Sequence, residues 1–165
     1  MLKTLLLLRH SKSSWKDASL QDFDRPLTKG GKRTAKGMGQ EIRRRNLTPA
    51  LILSSAASRA RQTAKRVAKT AGYSGNIATE ARLYLTGVQR HLEVLTEVDD
   101  AHSRVLLIGH NPDLEGLVEQ LSGRQVSLPT GGLVCIDLAI DSWAALPGAA
   151  GEFRFSVTPK ELTLS

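Results

Sequence analysis

Arginine and histidine residues follow three separate apolar runs of this chain. Arg9 and His10 come directly after Leu5–Leu8, Arg59 follows Ser54 and Ser55, and His110 comes just after Val105–Ile108. If these runs are strands of one parallel sheet, their carboxyl ends meet at one edge and the side chains can converge there. A single histidine after a strand is usually structural, so the argument depends on two histidines and two arginines occurring together.

The chemistry suited to such a set is phosphoryl transfer to a side chain. A neutral imidazole can attack phosphorus and form a covalent phosphohistidine. Its other ring nitrogen must keep its proton, often by donating it to a backbone carbonyl. Guanidinium groups match phosphate oxygens bidentately, and a second histidine can donate to the same oxygens. Because these cations can neutralise the phosphoryl group, we expect neither a metal ion nor another cofactor.

The elements that must position these residues alternate between strand-like and helix-like segments. The apolar runs predict strands at residues 2–8, 49–55, 76–79, 103–109, 133–140 and 152–157. Helical spacing predicts helices at 28–45, 58–71 and 88–98, with Thr28 as an N-cap and Gly72 as a terminator. A fourth helix is expected after Asn111, with Asn111 as its N-cap and Pro112 in its first turn. This alternation predicts an α/β three-layer sandwich with a mostly parallel sheet.

Length and composition are those of an ordinary globular domain. The 165 residues, of which 41% are hydrophobic and 24% charged, predict a single domain over 1–165. One cysteine, Cys135, excludes an intramolecular disulfide and is expected in the core. His91 and His102 lack zinc-ligand spacing and are expected at the surface. No stretch approaches ~20 apolar residues, and Leu5–Leu8 is shorter than a signal-peptide core, so we expect a cytoplasmic protein.

Charge is distributed unevenly along the chain. Residues 1–82 hold 18 Lys and Arg against 5 Asp and Glu, whereas residues 83–165 hold 5 against 11. This asymmetry predicts a basic face that meets an anion; nucleic acid, anionic lipid and a phosphorylated substrate are the candidates, beside simple solvation of helix faces. Aromatic residues make up only 4% of the chain, too few for base-stacking platforms. We therefore expect neither nucleic acid nor a membrane as a partner.

Three ordered motifs resemble those of the histidine phosphatase superfamily, which includes phosphoglycerate mutases and acid phosphatases. They are Arg9-His10, the segment from Ser54 through Arg59 to Thr63-Ala64, and Gly109-His110-Asn111-Pro112. Three further segments are similar to the SixA-like phosphohistidine phosphatase branch: residues 9–13 (RHSKS), 22–28 (DFDRPLT) and 82–84 (RLY). The resemblance covers nearly the whole chain in the expected order.

The resemblance implies a phosphoglycerate mutase-like fold and one histidine phosphatase domain over residues 1–165. It implies that His10 is the nucleophile, that Arg9 and Arg59 bind the phosphoryl group, and that His110 completes the pocket. Arg25 is either a contact at the substrate rim or a surface salt bridge to Asp22 or Asp24, and the sequence leaves both open.

The implied activity is that of a metal-independent phosphatase acting on phosphohistidine, on a protein of the histidine-phosphotransfer type. A phosphatase of small phosphate esters is the alternative on the same scaffold. A basic module that binds nucleic acid without catalysis is the alternative from another class.

Two departures from the superfamily pattern bear on this reading. Ser11 stands where the superfamily often has glycine, so the loop must turn without glycine's conformational freedom. In residues 82–87 (RLYLTG) no glutamate occupies the place where mutases and many phosphatases of the superfamily carry a general acid. The nearest carboxylate is Glu80. If another donor exists, Glu80 and the acidic residues of the 17–24 loop are the first candidates.

Overall fold

A six-stranded sheet runs through the computed structural model, which describes residues 2–164. Its strands are β1 (Lys3–Arg9), β2 (Leu51–Ser55), β3 (Ile77–Glu80), β4 (Arg104–Gly109), β5 (Leu133–Leu138) and β6 (Gly151–Val157). The helices are α1 (Lys29–Arg44), α2 (Ser58–Ala71), α3 (Val88–Thr96) and α4 (Asp113–Ser122). Short 3-10 turns lie at Asp22–Asp24, Ala81–Leu83, Trp143–Ala145 and Pro159–Glu161.

The sheet has the strand order β3-β2-β4-β1-β5-β6. β4 pairs in parallel with both β1 and β2, and β2 pairs in parallel with β3. β5 runs antiparallel to both β1 and β6, and β6 is the edge strand on that side of the sheet. The predicted α/β sandwich with a mostly parallel sheet is therefore confirmed. Four parallel strands end at one edge of the sheet, and that edge is where a ligand is expected to bind.

Alternate leucines of β1 face opposite sides of the sheet and enter two different cores. Leu5 and Leu7 pack on the side of α3 and α4, whereas Leu6 and Leu8 pack on the side of α1 and α2. All four side chains are buried because β1 has a paired strand on each side and helices over both faces. This explains why the sequence of β1 is a continuous apolar run rather than an alternating one.

Two helix ends follow the predicted capping. The Thr28 side chain accepts a hydrogen bond from the Gly31 N–H at 2.9 Å and begins α1. Gly72 has a φ of 79° and ends α2 in the left-handed conformation that glycine adopts without strain.

The predicted cap of the fourth helix is wrong by one residue. α4 begins at Asp113, with Pro112 in the N-cap position. The amide of Asn111 instead donates to the Leu128 carbonyl at 2.8 Å, while its Oδ1 accepts from the Glu115 N–H at 3.3 Å. Asn111 therefore ties the loop after β4 to the segment before β5, which is a tertiary contact that local capping rules do not include.

The expected surface position of His91 is also wrong. His91 is fully buried, and its Nδ1 lies 2.8 Å from the Gly87 carbonyl oxygen, because this side of α3 packs inward. His102 is partly buried, and Cys135 lies in the core as predicted. Within residues 2–164, no helix is both long and apolar enough to cross a membrane.

Close contact between α1 and α2 requires glycine at position 39. A Cβ at Gly39 would overlap Thr70 Oγ1 and lie 2.6 Å from the Val67 carbonyl oxygen. At Gly30, in the first turn of α1, a Cβ would lie 3.9 Å from its nearest neighbour, Thr28 Oγ1. The two glycines therefore serve as test and control, because a Cβ at Gly39 would collide with α2, whereas a Cβ at Gly30 has space around it.

We expect Gly39→Ala to lower the free energy of unfolding by about 1–3 kcal/mol, because α1 must move away from α2. Gly30→Ala should leave it unchanged or raise it by up to about 1 kcal/mol through helix propensity. Urea unfolding of both variants measures the difference. Equal effects of the two substitutions would show that the helices do not depend on this contact.

Candidate active site

His10, Arg59 and His110 meet at the carboxyl edge of the sheet. His10 follows β1 and His110 follows β4, and parallel pairing of these strands brings the two ring centroids to 5.1 Å. Arg59, in the first turn of α2, places its Nε 3.3 Å from His10 Nε2. All three side chains are buried, with 7%, 4% and 2% of their surfaces exposed for His10, Arg59 and His110.

A pocket of ≈ 290 Å³ opens above these side chains. It is lined by Arg9, His10, Lys12, Ser13, Trp15, Arg25, Arg59, Leu85, His110, Asn111 and Thr130. The cations Arg9, Lys12, Arg25 and Arg59 make it a site for an anion.

His10 is held as a neutral imidazole by hydrogen bonds at both ring nitrogens. Its Nδ1 lies 2.8 Å from the Ser11 carbonyl oxygen, so Nδ1 carries the proton and donates it. Nε2 then carries the lone pair, which accepts a hydrogen bond from Arg59 Nε at 3.3 Å. Burial, together with the nearby Arg59, Arg9 and Arg25 charges, lowers the pKa of His10 to about 4. At neutral pH this imidazole therefore has the form required of a nucleophile.

The loop after His10 turns without a glycine. Among residues 2–164, the non-glycine residues with a positive φ are Asn46 and Leu85, so Ser11 has an ordinary backbone conformation. The Ser11 N–H donates to Thr63 Oγ1 at 3.0 Å, and the Gly131 N–H donates to the His10 carbonyl at 2.9 Å. These contacts from α2 and from the segment before β5 fix the loop instead.

Ser55 orients His110, a role that its position at the end of β2 did not predict. Its Oγ accepts the Ala57 N–H at 3.2 Å and lies 2.7 Å from His110 Nε2. The Ser55 hydroxyl has one donor hydrogen and two acceptor lone pairs, so it can pair with His110 Nε2 in either ring tautomer and holds the ring in place in both. His110 Nδ1 is buried and has no hydrogen-bond partner within the described chain. Burial, then the neighbouring His10 and Arg59, lowers the pKa of His110 to about 3.

Asp22 is the anion that holds the arginines in place. Arg59 donates through Nη1 to the Asp22 carbonyl at 2.7 Å and through Nη2 to its Oδ2 at 3.0 Å. The Tyr84 hydroxyl donates to the same Oδ2 at 2.6 Å, and Arg25 pairs with Oδ1 at 3.0 Å. The Tyr84 hydroxyl above all, with Arg25 and Arg59, lowers the pKa of Asp22 to about 2. Asp22 thus stays ionised, and both of its carboxylate oxygens already accept hydrogen bonds from Tyr84 and the two arginines.

Arg25 is a buried side chain at the pocket, and its contact with substrate stays a prediction. It forms the salt bridge to Asp22, and it also lines the pocket. Its Nη1 donates to Ser13 Oγ at 2.8 Å, and its guanidinium lies 3.5 Å from the ring centroid of Trp15. Trp15 carried no signal in the sequence, since its stacking partner lies ten residues away.

Arg9 is anchored at one nitrogen and free at another. Its Nη1 donates to the Leu128 carbonyl at 3.0 Å, the same oxygen that accepts from Asn111. Its Nε is buried with no protein partner in residues 2–164. Burial lowers the pKa of this guanidinium from its usual value, which still leaves it charged at neutral pH.

No carboxylate is among the residues that line the pocket. Leu85, in the segment where a general acid was missing, borders the pocket with a φ of 55° and half of its surface exposed. Glu80 is paired with Arg82 at 2.9 Å, and Arg82 also pairs with Glu97, so Glu80 is held outside the pocket. In residues 2–164 no group of three or more histidine, cysteine or acidic side chains has the arrangement of a metal site.

Comparison with known sequences identifies one family. A sequence model of the histidine phosphatase superfamily, branch 1, matches residues 5–85. An uncharacterised chloroplastic protein of Arabidopsis thaliana is 33% identical in an alignment of 161 residues that covers 90% of this chain and 74% of that protein. An uncharacterised protein of Mycobacterium tuberculosis is 33% identical in an alignment of 164 residues that covers 91% of this chain and 99% of that protein.

Solved structures share the whole fold. A Nakamurella multipartitia protein, provisionally named phosphohistidine phosphatase SixA, has a TM-score of 0.87 at 26% identity, with 96% of this chain and 97% of that chain covered. An Agrobacterium tumefaciens protein with the same provisional name has a TM-score of 0.81 at 26% identity, with 95% and 98% covered. The protein histidine phosphatase SixA with tungstate shares the fold at a TM-score of 0.78 and 23% identity, with 95% and 97% covered.

We expect the free energy of unfolding to rise as pH increases from about 4 to 6.5. Over this range the unfolded chain binds a proton at residue 10 that the folded chain rejects, because the pKa of His10 falls from 6.5 to about 4 on folding. Urea unfolding at pH 5 and pH 7 measures the change, and His10→Asn should show a smaller one. NMR titration of the His10 ring should give a midpoint below 5; a midpoint near 6.5 would contradict this account.

Proposed function

This chain belongs to the histidine phosphatase superfamily and is a phosphatase, and we propose that it hydrolyses phosphohistidine on a protein through a phosphoryl intermediate on His10. The observation that carries the choice of substrate is the pocket lining: it combines a neutral nucleophile and a cationic clamp with no carboxylate. A phosphatase with that lining suits a leaving group that needs no proton.

In the first step, His10 Nε2 attacks the phosphorus of the substrate, and the substrate's N–P bond breaks. Arg9 and Arg59 neutralise the phosphoryl oxygens, and the His110 ring, whose centroid lies 5.1 Å from that of His10, donates to one of them. The substrate imidazole, protonated on its far nitrogen, leaves as a neutral ring because it regains the electron pair of the broken bond. His10, with its proton on Nδ1, becomes the cationic phosphoimidazole, so no proton moves.

In the second step, water attacks the phosphorus on His10 and the new N–P bond breaks. The electron pair returns to Nε2, and both protons of the water leave with the phosphate as dihydrogen phosphate. His10 is again neutral, with Nδ1 still donating to the Ser11 carbonyl. The same arginines and His110 serve both steps.

An alcohol leaving group would place a different demand on the site. An alkoxide normally needs a proton delivered in the transition state, a contribution of about 10²–10⁴-fold. Asp22, with a pKa of about 2, holds no proton to give, and Glu80 is paired with Arg82. Hydrogen bonding to Arg82 also lowers the pKa of Glu80. Neither Asp22 nor Glu80 therefore supplies this proton.

Two apolar side chains at the mouth of the pocket support the same substrate class. Trp15 and Leu85 are both largely exposed, and both border a pocket whose other residues are cationic or polar. They offer apolar contact to a planar ring and to the protein around it.

The test is a comparison of three substrate classes at constant pH and salt. We expect kcat/KM to be highest for phosphohistidine and phosphoramidate, lower for p-nitrophenyl phosphate and lowest for alkyl phosphates, with chelator present throughout. Quenched enzyme should carry acid-labile phosphate on His10, and His10→Ala should carry none. Leu85→Glu should raise turnover of alkyl esters selectively, because it introduces a carboxyl group at the pocket.

Equal efficiency of the unmodified protein on alkyl esters and phosphoramidates would overturn this choice of substrate. A phosphatase of small phosphate esters would then be the better description, with a proton donor outside the residues considered above.

Arg59 and Arg61 form a matched pair for testing the phosphoryl clamp. Arg59 is buried beside His10, whereas Arg61 is exposed and donates to the Ala56 carbonyl at 2.9 Å. We expect Arg59→Ala to cost about 2–4 kcal/mol in kcat/KM for phosphoramidate, the loss of one preorganised donor. Arg61→Ala should cost less than about 0.5 kcal/mol. A reversed order of the two effects would assign the clamp to the other arginine.

A further inference from the structure

A second concave surface lies between α1 and α2, outside the catalytic pocket. We call it the cationic groove; it measures ≈ 560 Å³. Its lining consists of Lys32, Arg33 and Lys36 from α1 and Arg66, Lys69 and Thr70 from α2. Five of these six side chains are positively charged, and the sixth is a hydroxyl.

Acidic side chains of residues 2–164 form no ion pair with the cations of this groove. α2 contains no acidic residue, and the one acid of α1, Glu41, is paired with Arg44 and Arg45. The positive potential of the groove is therefore available to a partner.

Helix packing holds the cations close to one another. The contact at Gly39 draws α1 against α2, and Thr70 Oγ1 donates to the Lys36 carbonyl at 2.8 Å. Along each helix the cations recur one turn apart, at 32 and 36 on α1 and at 66 and 69 on α2. Like charges at this spacing repel by about 0.2–0.5 kcal/mol per pair. An anion lying in the groove would relieve that repulsion.

The groove leads away from the catalytic pocket. α1 begins beside Lys12, a pocket residue: the Thr28 N–H donates to the Lys12 carbonyl at 2.9 Å, and Gly31 packs directly against that backbone. Lys36 lies five residues beyond Gly31, about 8 Å along the helix axis. α2 likewise begins at the pocket, with Arg59 in its first turn. A protein that presents a phosphohistidine to His10 thus comes within reach of both helices.

We propose that the cationic groove docks an acidic helix of the protein that carries the phosphohistidine. The proposal rests on the proposed function, because the groove binds a part of the same substrate protein that lies away from the phosphoryl group. An acidic helix with carboxylates at positions i and i+4 repeats at the same pitch as Lys32 and Lys36. Contacts of this kind lower KM for the protein substrate and leave the reaction at His10 unchanged.

The lining favours an acidic protein over the other polyanions. It contains no aromatic side chain on which a base could stack. The exposed large hydrophobic residues of the described chain, Leu2, Trp15, Leu20, Leu85 and Leu164, all lie outside it, so nothing in the groove would enter a lipid layer.

The test compares two charge-reversal variants of the full chain with the same net charge. Lys36→Glu/Lys69→Glu changes the groove, and Arg90→Glu/Arg124→Glu changes two exposed cations elsewhere. The substrates are an acidic histidine-phosphotransfer domain phosphorylated on histidine, and free phosphohistidine. We expect the groove variant to lose at least tenfold in kcat/KM on the domain, through KM, and to lose most of the salt dependence. Its kcat/KM on free phosphohistidine should be unchanged.

The control variant should retain wild-type kinetics on both substrates. An equal loss in both variants would overturn the proposal, because net charge alone would then explain the effect. Full activity of the groove variant on the domain would also overturn it. Circular dichroism and the milder Lys36→Gln/Lys69→Gln variant, which should show a smaller loss of the same kind, exclude misfolding as the cause.

Two further outcomes separate this proposal from its alternatives. Duplex DNA, single-stranded RNA and phosphatidylserine vesicles are tested for binding to the wild type and to the groove variant. If one of them binds through the groove, and the groove variant still turns over the phosphorylated domain, the groove serves that polyanion and the proposal is overturned. If the wild type hydrolyses no phosphohistidine, the proposed function fails. Calorimetric binding of the unphosphorylated domain then tests the groove separately: binding lost in the groove variant supports docking, and equal binding by wild type and variant overturns it.

Discussion

Parallel pairing of β1 with β4 is the constraint on which the site depends. The register places Arg9 opposite Gly109, so the next residues of each strand, His10 and His110, emerge side by side at the same edge. Both strands lie in the middle of the sheet and are buried on both faces, so this register cannot slip without exposing leucines on two sides. The third member, Arg59, arrives from α2, which begins at that edge because β2 is also parallel to β4.

Electrostatics then decides what these side chains can do. Four cations line a pocket that a dianionic phosphoryl group can enter, and the three arginines among them, added to burial, keep His10 unprotonated. Such a cluster of cations needs at least one fixed anion to set its geometry. Asp22 fulfils this role from the rim, where it binds Arg59 and Arg25 at once and is itself held by Tyr84. The 3-10 turn that carries Asp22 is therefore part of the site rather than a passive connection.

In the proposed mechanism, the catalytic pocket and the cationic groove recognise different parts of the substrate. The pocket has room for the phosphoryl group, and Trp15 and Leu85 are its apolar side chains for contact with the leaving group. A site so small can distinguish leaving groups mainly by whether they need a proton. Choice among proteins that carry the same phosphoryl chemistry then requires contacts farther away, and α1 and α2 provide a charged surface that begins at the pocket.

Much of this molecule could be predicted from its sequence because the signals are local. Continuous apolar runs reveal strands buried on both faces, and the limits of α2 follow from helical periodicity and Gly72. Arg9, His10, Arg59 and His110 could be selected because strand ends of a parallel sheet meet at one edge. The absence of a glutamate near Leu85 is likewise visible in the sequence itself.

Other features were decided only by tertiary contacts between distant segments. Asp22 reaches Arg59 across 37 residues, Ser55 orients His110 across 55, and Asn111 donates to the Leu128 carbonyl across 17. His91 is buried because its helix face turns inward, which one isolated histidine in the sequence cannot indicate. The basic character of the first half of the chain is a property of composition. The basic residues form a groove because α1 approaches α2 closely at Gly39, and only that packing places cations of both helices along one surface.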